Sequence, residues 1–235
     1  MFDSVDGGPS LRAAPFGPGI KDVVQLLSPR QRSQIASIAT PLHLPPHRIV
    51  YREGTSAHSV FIVADGAVKT FRDLPSGKRR VMGFQFTDDL FGLAQGGQYV
   101  NSVQTITAVT LYRMRVTTLS DTLRRDADLA FQFLCKVTHE LRGSLRHTVI
   151  VARRDAVGRV TMFLRMLEQN GRPRHDSRIE IPMSRSDAAD YLGLSLESVS
   201  RALTRLVRSR VIALEGRHEV RVLDRTRFEK ISAAL

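Results

Sequence analysis

Residues 184–208 read S-R-S-D-A-A-D-Y-L-G-L-S-L-E-S-V-S-R-A-L-T-R-L-V-R, and this stretch decides how the C-terminal part of the chain folds. Ser184 with Asp187 three residues later is typical of a helix start, because a serine hydroxyl can accept a hydrogen bond from a free N–H of the first turn. Gly193 predicts the end of that helix, since a tight turn here needs a residue that tolerates positive φ. Ser195 can cap the next helix. The stretch therefore predicts two helices joined by a tight turn.

The apolar residues of this stretch have the spacing of a helix-turn-helix. Ala189 is small enough to let two helices cross closely, and a glycine follows it by four residues. Apolar residues then recur six and nine positions after the glycine, where the second helix needs its buried side. An ordinary helical hairpin remains the alternative. The residues that we expect to face inward are Ala188, Ala189, Leu192, Val199, Ala202, Leu203 and Leu206.

The second helix carries polar residues on its opposite face, and the first two turns of such a helix meet base edges in the major groove. Arg201 can donate two hydrogen bonds to guanine O6 and N7, while Glu197 can accept one from cytosine N4 or adenine N6. Glu197 and Arg201 are four residues apart, so a simple surface ion pair is the alternative reading of both. Ser200 can donate or accept, and Leu196 can touch a thymine methyl group. The candidate base-reading residues are Leu196, Glu197, Ser200 and Arg201.

Two short apolar runs follow this helix. Residues 211–214 and 220–223 flank a turn at 215–218, which predicts a β-hairpin and makes the unit a winged helix-turn-helix. Polar side chains around the helices and the wing are candidates for contacts with DNA phosphates, although a solvated surface is an equally simple role for each of them. These candidates are Ser184, Ser195, Ser198, Thr204, Arg205, Arg208, Arg217 and His218.

A long helical stretch precedes the winged unit. Residues 121–154 contain no proline and a single glycine, Gly143. Side chains three or four positions apart form a narrow stripe, which favours the interface of a twofold helix pair. The alternative is a helix packed only on its own domain. We expect one dimerisation helix over 121–155, with an interface formed by Leu134, Val137, Leu141, Leu145 and Thr148.

The apolar residues of the N-terminal half recur with a different spacing. Residues 48–118 form short alternating runs separated by turn signals, as expected for a β-sandwich or barrel. Asp65-Gly66 predicts a hairpin, because both residues tolerate positive φ, and residues 75–77 predict a second turn. The expected organisation is α+β. It comprises a flexible N-terminal arm over 1–20, a β-roll over 21–120, the long helix over 121–155 and the winged unit over 156–235.

Composition limits the classes of function that remain. The 235 residues carry 35 Lys and Arg against 23 Asp and Glu, a formal charge of +12, and half of the excess lies after residue 150. Such an excess favours a polyanionic partner such as nucleic acid. The single cysteine, Cys135, can form neither an intramolecular disulfide nor a cysteine-ligated iron–sulfur site. With no membrane-length apolar run, signal pattern, catalytic constellation or metal motif, we expect a cytoplasmic protein that is not an enzyme and holds no metal or cofactor.

Together these features resemble the CRP/FNR family of bacterial transcription regulators over roughly residues 25–225. The most specific match is L-S-L-E-S-V-S-R at 194–201, whose E-x-x-S-R pattern resembles the FNR/FixK branch. The resemblance implies a jelly roll of the cyclic-nucleotide-binding type, a dimerisation helix and a C-terminal winged helix-turn-helix. It also implies a homodimer that recruits RNA polymerase. By resemblance, Glu197, Ser200 and Arg201 read a palindrome with TTG and CAA arms, and FixK-like regulators control low-oxygen respiration or nitrogen fixation.

The β-roll departs from the members of this family that bind cyclic nucleotides. Those members carry a Gly-Glu pair and then Arg-Ser or Arg-Thr, whereas this chain has Phe91-Gly92-Leu93 and Tyr99-Val100-Asn101-Ser102. A cyclic phosphate would enter with its charge unpaired, so we expect no cyclic-nucleotide binding. Cys135 alone cannot supply the iron–sulfur cluster of FNR. We therefore expect a regulator, more specifically an activator, without either effector. The alternative is the same architecture acting as a sensor of another small molecule.

Overall fold

A computed structural model describes residues 29–94, 96–170 and 177–233, so the expected N-terminal arm lies outside the described residues. The chain forms a β-roll, a long helix and a C-terminal winged helix-turn-helix, which confirms the expected α+β architecture. Within the described ranges, no helix is both long enough and apolar enough to cross a membrane.

Over the described residues 29–94 and 96–115, the β-roll consists of one helix and eight strands, which form two four-stranded antiparallel sheets. One sheet has the order β1-β8-β3-β6 and the other has the order β2-β7-β4-β5. Phe61 and Leu111 of the first sheet pack with Val68 and Val103 of the second in a core between them. The elements are α1 Pro29–Ile38, β1 Thr40–Leu44, β2 Ile49–Tyr51, β3 Ser59–Asp65, β4 Val68–Asp73, β5 Arg79–Gln85, β6 Leu90–Phe91, β7 Ser102–Thr105 and β8 Val109–Arg115.

The hairpin prediction at Asp65-Gly66 is wrong. Strand β3 pairs with β6 and β8, whereas β4 pairs with β5 and β7, so this turn carries the chain from one sheet to the other. Only Gly66 of the two residues has a positive φ, and a Cβ at this position would collide with the carbonyl oxygen of Ala108. The glycine is therefore needed for a close backbone approach as well as for its φ. The turn predicted at residues 75–77 is confirmed, because it joins the antiparallel neighbours β4 and β5.

The single helix expected over 121–155 is in fact two helices. Helix α2 covers Val116–Arg125 and helix α3 covers Ala127–Ala152. Asp126 between them is extended, and its carboxylate accepts a hydrogen bond of 2.9 Å from the backbone N–H of Leu129. Asp126 thus caps α3, which is a common role of aspartate at helix starts. The break escaped sequence reasoning because neither proline nor glycine marks it.

The C-terminal unit surrounds one hydrophobic core that includes Phe163, Leu192, Leu206, Ile212 and Phe228. Its three strands form a sheet of order β10-β11-β9, in which the β10–β11 hairpin is the wing. The elements are α4 Ala156–Asn170, β9 Arg178–Glu180, α5 Arg185–Leu192, α6 Leu196–Arg208, β10 Ile212–Leu214, β11 Glu219–Val222 and α7 Arg225–Ala233.

A half-buried ion cluster joins α3 to the β-roll. The Lys136 ammonium lies 3.5 Å from Asp89 Oδ1 and 3.3 Å from Glu140 Oε1, and the same Glu140 oxygen accepts a hydrogen bond from the N–H of Leu90. Burial and the neighbouring Asp89 carboxylate raise the pKa of Glu140 to about 7. On the same helix, burial and the charges around it lower the pKa of His139 to about 4. Two carboxylates therefore share one ammonium at this junction.

Replacing Glu140 by glutamine tests that junction. Because the pKa of Glu140 in the folded chain lies above its ordinary value of 4.5, the folded state binds this proton more tightly than the unfolded state. The contribution of this group to stability therefore falls as pH rises from about 4.5 through 7. Glutamine retains an oxygen for the Leu90 N–H and carries no charge. We expect Glu140→Gln to raise the Tm more at pH 8 than at pH 6, as measured by thermal denaturation beside the parent protein. Equal differences in Tm between variant and parent at both pH values would contradict this prediction. The titration of His139 does not affect the comparison, because both proteins contain this residue.

Candidate nucleic-acid interface

The two helices of the predicted motif begin and end where the sequence indicates. Ser184 Oγ accepts a hydrogen bond of 3.0 Å from the Asp187 N–H and caps α5, which ends at Gly193 in the left-handed conformation (φ 62°, ψ 36°). Ser195 Oγ accepts one of 3.1 Å from the Ser198 N–H and caps α6. The residues expected to face inward are all buried, namely Ala188, Ala189, Leu192, Val199, Ala202, Leu203 and Leu206.

The outer face of α6 brings the four candidate base-reading residues together. Leu196, Glu197, Ser200 and Arg201 are all exposed over the first two turns of the helix. The Arg201 guanidinium lies 3.0 Å from a Glu197 carboxylate oxygen, and the two side chains are 69% and 74% exposed. The Ser200 hydroxyl donates to the Leu196 carbonyl, which leaves the hydroxyl oxygen able to accept. This face thus presents the guanidinium donors of Arg201, the carboxylate of Glu197 and the hydroxyl oxygen of Ser200 side by side.

The candidate phosphate contacts surround this face. Thr204, Arg205 and Arg208 are exposed farther along α6, and Arg217 is exposed at the turn of the wing. Ser184 and Ser195 are also exposed, although both serve as helix caps, and Ser198 is half-buried. The His218 ring is held near the wing by a contact of 3.0 Å between its Nδ1 and the carbonyl oxygen of Ile181.

Helix α3 has an exposed stripe that differs from the predicted one at three positions. Leu134, Leu141 and Thr148 are exposed and seven residues apart, and Leu145 lies beside them. Val137 does not belong to this stripe, because it is half-buried and packs on the apolar cluster around Leu129 of its own chain. The structure adds Phe131 and Thr138 to the exposed stripe, and the sequence analysis did not include them in its predicted interface. The resulting heptad stripe consists of Phe131, Leu134, Thr138, Leu141, Leu145 and Thr148, and its three leucines and its phenylalanine are 58–62% exposed.

A cavity of about 680 Å³ lies between the β-roll and α3. Its lining includes the positions at which the sequence departs from the cyclic-nucleotide-binding pattern, Phe91-Gly92-Leu93 and Tyr99-Val100-Asn101. The carboxylates of Asp89 and Glu140 line it as well. Among the cations in the lining, Arg72 is paired with Glu53, and burial lowers the pKa of Arg146.

Comparison with known families matches both halves of the chain. Residues 158–231 match the model of the Crp-like helix-turn-helix domain, and residues 41–126 match that of the cyclic nucleotide-binding domain. The first match contains α6 and the wing, and the second contains strands β1 to β8 except for Thr40.

Relatives and solved structures cover most of the chain. The chain is 31% identical to the nitrogen fixation regulation protein FixK of Bradyrhizobium diazoefficiens over 82% of each chain. It is 29% identical to the transcriptional activatory protein AadR of Rhodopseudomonas palustris, over 88% of this chain and 87% of the relative. Among solved structures, FixK2 from Bradyrhizobium japonicum superposes with a TM-score of 0.78 at 28% identity, over 84% of this chain and 99% of that one. The chain therefore belongs to the CRP/FNR family of bacterial transcription regulators, which are not enzymes, and it is similar to the FixK regulators of that family.

Proposed function

We propose that this protein is a sequence-specific transcription activator that binds, as a homodimer, a DNA palindrome with TTG and CAA arms. The observation that carries the proposal is the exposed face of α6, where Glu197, Ser200 and Arg201 lie side by side. A guanidinium matches guanine O6 and N7, and a carboxylate matches the exocyclic amine of cytosine or adenine. One face of α6 can therefore contact both a guanine and a cytosine or adenine within one short half-site.

The heptad stripe on α3 supports the homodimer. An exposed apolar stripe with a strict seven-residue repeat is typical of a helix that pairs with a second copy in parallel. A twofold pair would present two copies of α6 in opposite directions, which is the symmetry of a palindrome. The two copies would then bind half-sites centred about 34 Å apart, one turn of B-DNA.

The relatives suggest the biological setting of this activity. AadR is named an activatory protein and FixK a regulator of nitrogen fixation. We extend both to this chain as a proposal, with low-oxygen or nitrogen-fixation genes as its targets, RNA polymerase as its partner at promoters, and the cytoplasm as its location.

The cavity supports a regulator that needs no cyclic nucleotide. In the family pattern the arginine that pairs with the phosphate precedes a Ser or Thr, whereas Asn101 precedes Ser102 here, and Arg72 in the lining is already paired with Glu53. An anion would therefore gain little there, because a buried charge requires a partner. The single cysteine likewise argues against an iron–sulfur effector.

The volume of the same cavity favours a second candidate function, a sensor of a different small molecule. About 680 Å³ is within the range of ligand sites. A thermal-shift screen separates the two functions, because a ligand that binds only the folded state raises the Tm. A large rise with one compound would support the sensor and contradict regulation without a ligand.

Half-site spacing provides the test of the proposed function. The protein is titrated into a labelled palindrome and into the same duplex with five extra base pairs between the arms, at one fixed salt concentration. The insertion turns one arm by about half a helical turn, so a rigid dimer cannot engage both arms. We expect much weaker binding to the second duplex, and in both cases a linear fall of log affinity with log salt. Equal affinity for the two duplexes would contradict the proposal.

A further inference from the structure

Helix α5, the first helix of the helix-turn-helix, is held against the β-roll by polar contacts. Asp187 of α5 forms an ion pair with Lys69 of β4, and the two side chains are only 19% and 11% exposed. The residues are 118 positions apart in the chain. Charges withdrawn from water to this extent are retained only with a well-placed partner, so the pair fixes α5 against this strand.

A second contact lies one turn farther along α5. Asp190 Oδ2 accepts a hydrogen bond of 2.8 Å from the backbone N–H of Val81 on β5. The neighbouring Arg80 donates one of 3.2 Å to the carbonyl oxygen of Asp190 and lies 3.8 Å from its carboxylate. Strand β5 therefore contacts both the side chain and the main chain of the same residue of α5.

A third contact joins α5 to the helix that carries the heptad stripe. His147 of α3 places its Nε2 2.7 Å from the carbonyl oxygen of Tyr191, and the two rings stack with centroids 4.0 Å apart. Tyr191 is 4% exposed and also packs on Phe84 of β5 and Phe163 of α4. The orientation of α5 is thus tied directly to α3.

These contacts leave the DNA-facing side of the motif open. They engage the side of α5 that carries Asp187, Asp190 and Tyr191, whereas the outer face of α6 stays exposed. The covalent connection from α3 to α4 consists of residues 153–155, and Arg153 there is extended. Without the contacts of α5, mainly apolar packing, such as that of Phe84 on Phe163, would hold the winged unit against turning about this short connection. With them, α6 has one orientation relative to α3.

We propose that Lys69, Arg80 and His147 are positioning residues for DNA binding, because they hold α6 in the orientation that a palindrome requires without a bound effector. This inference rests on the proposed function. Its physical basis is a population argument, since the apparent affinity falls with the fraction of molecules in the binding-competent orientation. A half-site duplex engages one winged unit, so its affinity does not depend on that orientation.

The test compares the full-length protein with Lys69→Met/Arg80→Ala, with His147→Phe and with the control Arg79→Ala. His147→Phe keeps an aromatic ring against Tyr191 and removes the Nε2 atom that contacts the Tyr191 carbonyl oxygen. Arg79 is the neighbour of Arg80 on β5, but it pairs with Asp73 and lies over the ring of Phe71. Each protein carries a spin label at Lys230→Cys on α7, in a Cys135→Ser background. Pulsed electron paramagnetic resonance then gives the distance between the two winged units of the free dimer.

We expect a narrow distance distribution for the parent and for Arg79→Ala, and a broad one for the other two variants. Both should bind the palindrome about 10-fold more weakly, with half-site affinity within about twofold of the parent. If Lys69→Met/Arg80→Ala does not fold, His147→Phe provides the same comparison. Narrow distributions with parental affinity would overturn the proposal, as would equal losses on palindrome and half-site. If the parent failed to distinguish the palindrome from scrambled DNA, the proposed function would fail, whereas the distance distributions would still decide the positioning role.

Discussion

Arg201→Ala is expected to weaken binding to the TTG–CAA palindrome by about 1–3 kcal/mol per half-site, and a dimer contains two half-sites. The loss should be concentrated on duplexes that retain the guanine contacted by this residue, because alanine removes both donors of a bidentate contact. The fold should be unaffected, since the Arg201–Glu197 pair is exposed and i,i+4 pairs of this kind add only about 0.2–0.5 kcal/mol. Fluorescence anisotropy with the palindrome and with single-base variants of it measures the effect.

The matched control is Arg205→Ala, one turn farther along the same helix. Arg205 is a candidate phosphate contact and is also exposed to solvent on α6. We expect it to weaken binding to all sequences about equally and to reduce the salt dependence by about one phosphate contact. Glu197→Ala should instead relax the preference at one base pair. If Arg201→Ala weakened binding to random DNA as much as to the palindrome, Arg201 would be a phosphate contact and would not read a base.

The double variant Leu141→Glu/Leu145→Glu should yield a monomer. Both leucines are nearly 60% exposed in one chain, so glutamate costs little in the monomer, but in a parallel helix pair it would bring like charges together at the seam. Because two linked half-sites bind far more tightly than one, affinity for the palindrome should fall by about 100-fold or more. Sedimentation analysis gives the mass and anisotropy gives the affinity.

Leu74→Glu serves as the control for this prediction. Leu74 is an exposed apolar residue at the β4–β5 hairpin and does not belong to the heptad stripe, and the substitution adds the same kind of charge. It should leave both the dimer and the DNA affinity unchanged. A dimeric Leu141→Glu/Leu145→Glu protein would show that the heptad stripe is not the interface.

Local signals predicted the winged unit well because its geometry depends on single residues. Caps at Ser184 and Ser195 and a left-handed Gly193 fix where α5 and α6 begin and end, and their buried faces follow from helical spacing. The same reasoning failed at Asp126, where a helix ends without a breaker, and at Gly66, where tertiary contact decides the conformation.

Two further features could not be predicted from the sequence, namely the exact residues of the heptad stripe and the contacts that hold α5 against the β-roll. Val137 and Thr138 are adjacent, and only the packing of α3 on the β-roll reveals that Val137 points inward while Thr138 is exposed. The contact of Lys69 with Asp187 joins two units of the chain that have no common pattern, so no local spacing could predict it. Sequence thus indicated the candidate base-reading residues, whereas the structure was needed to find the contacts that we propose orient them.

The central claim, recognition of bases by the exposed face of α6, is tested most directly by one ratio of affinities. The dissociation constant of the full-length protein is measured for a palindrome with TTG and CAA arms and for a duplex of equal length with scrambled arms, at the same salt concentration. Specific sites are typically bound about 1000-fold or more tightly than other DNA, and we expect a preference of that order here. Affinities that agree within a few-fold would mean that the positive charge alone binds DNA, and would contradict the account.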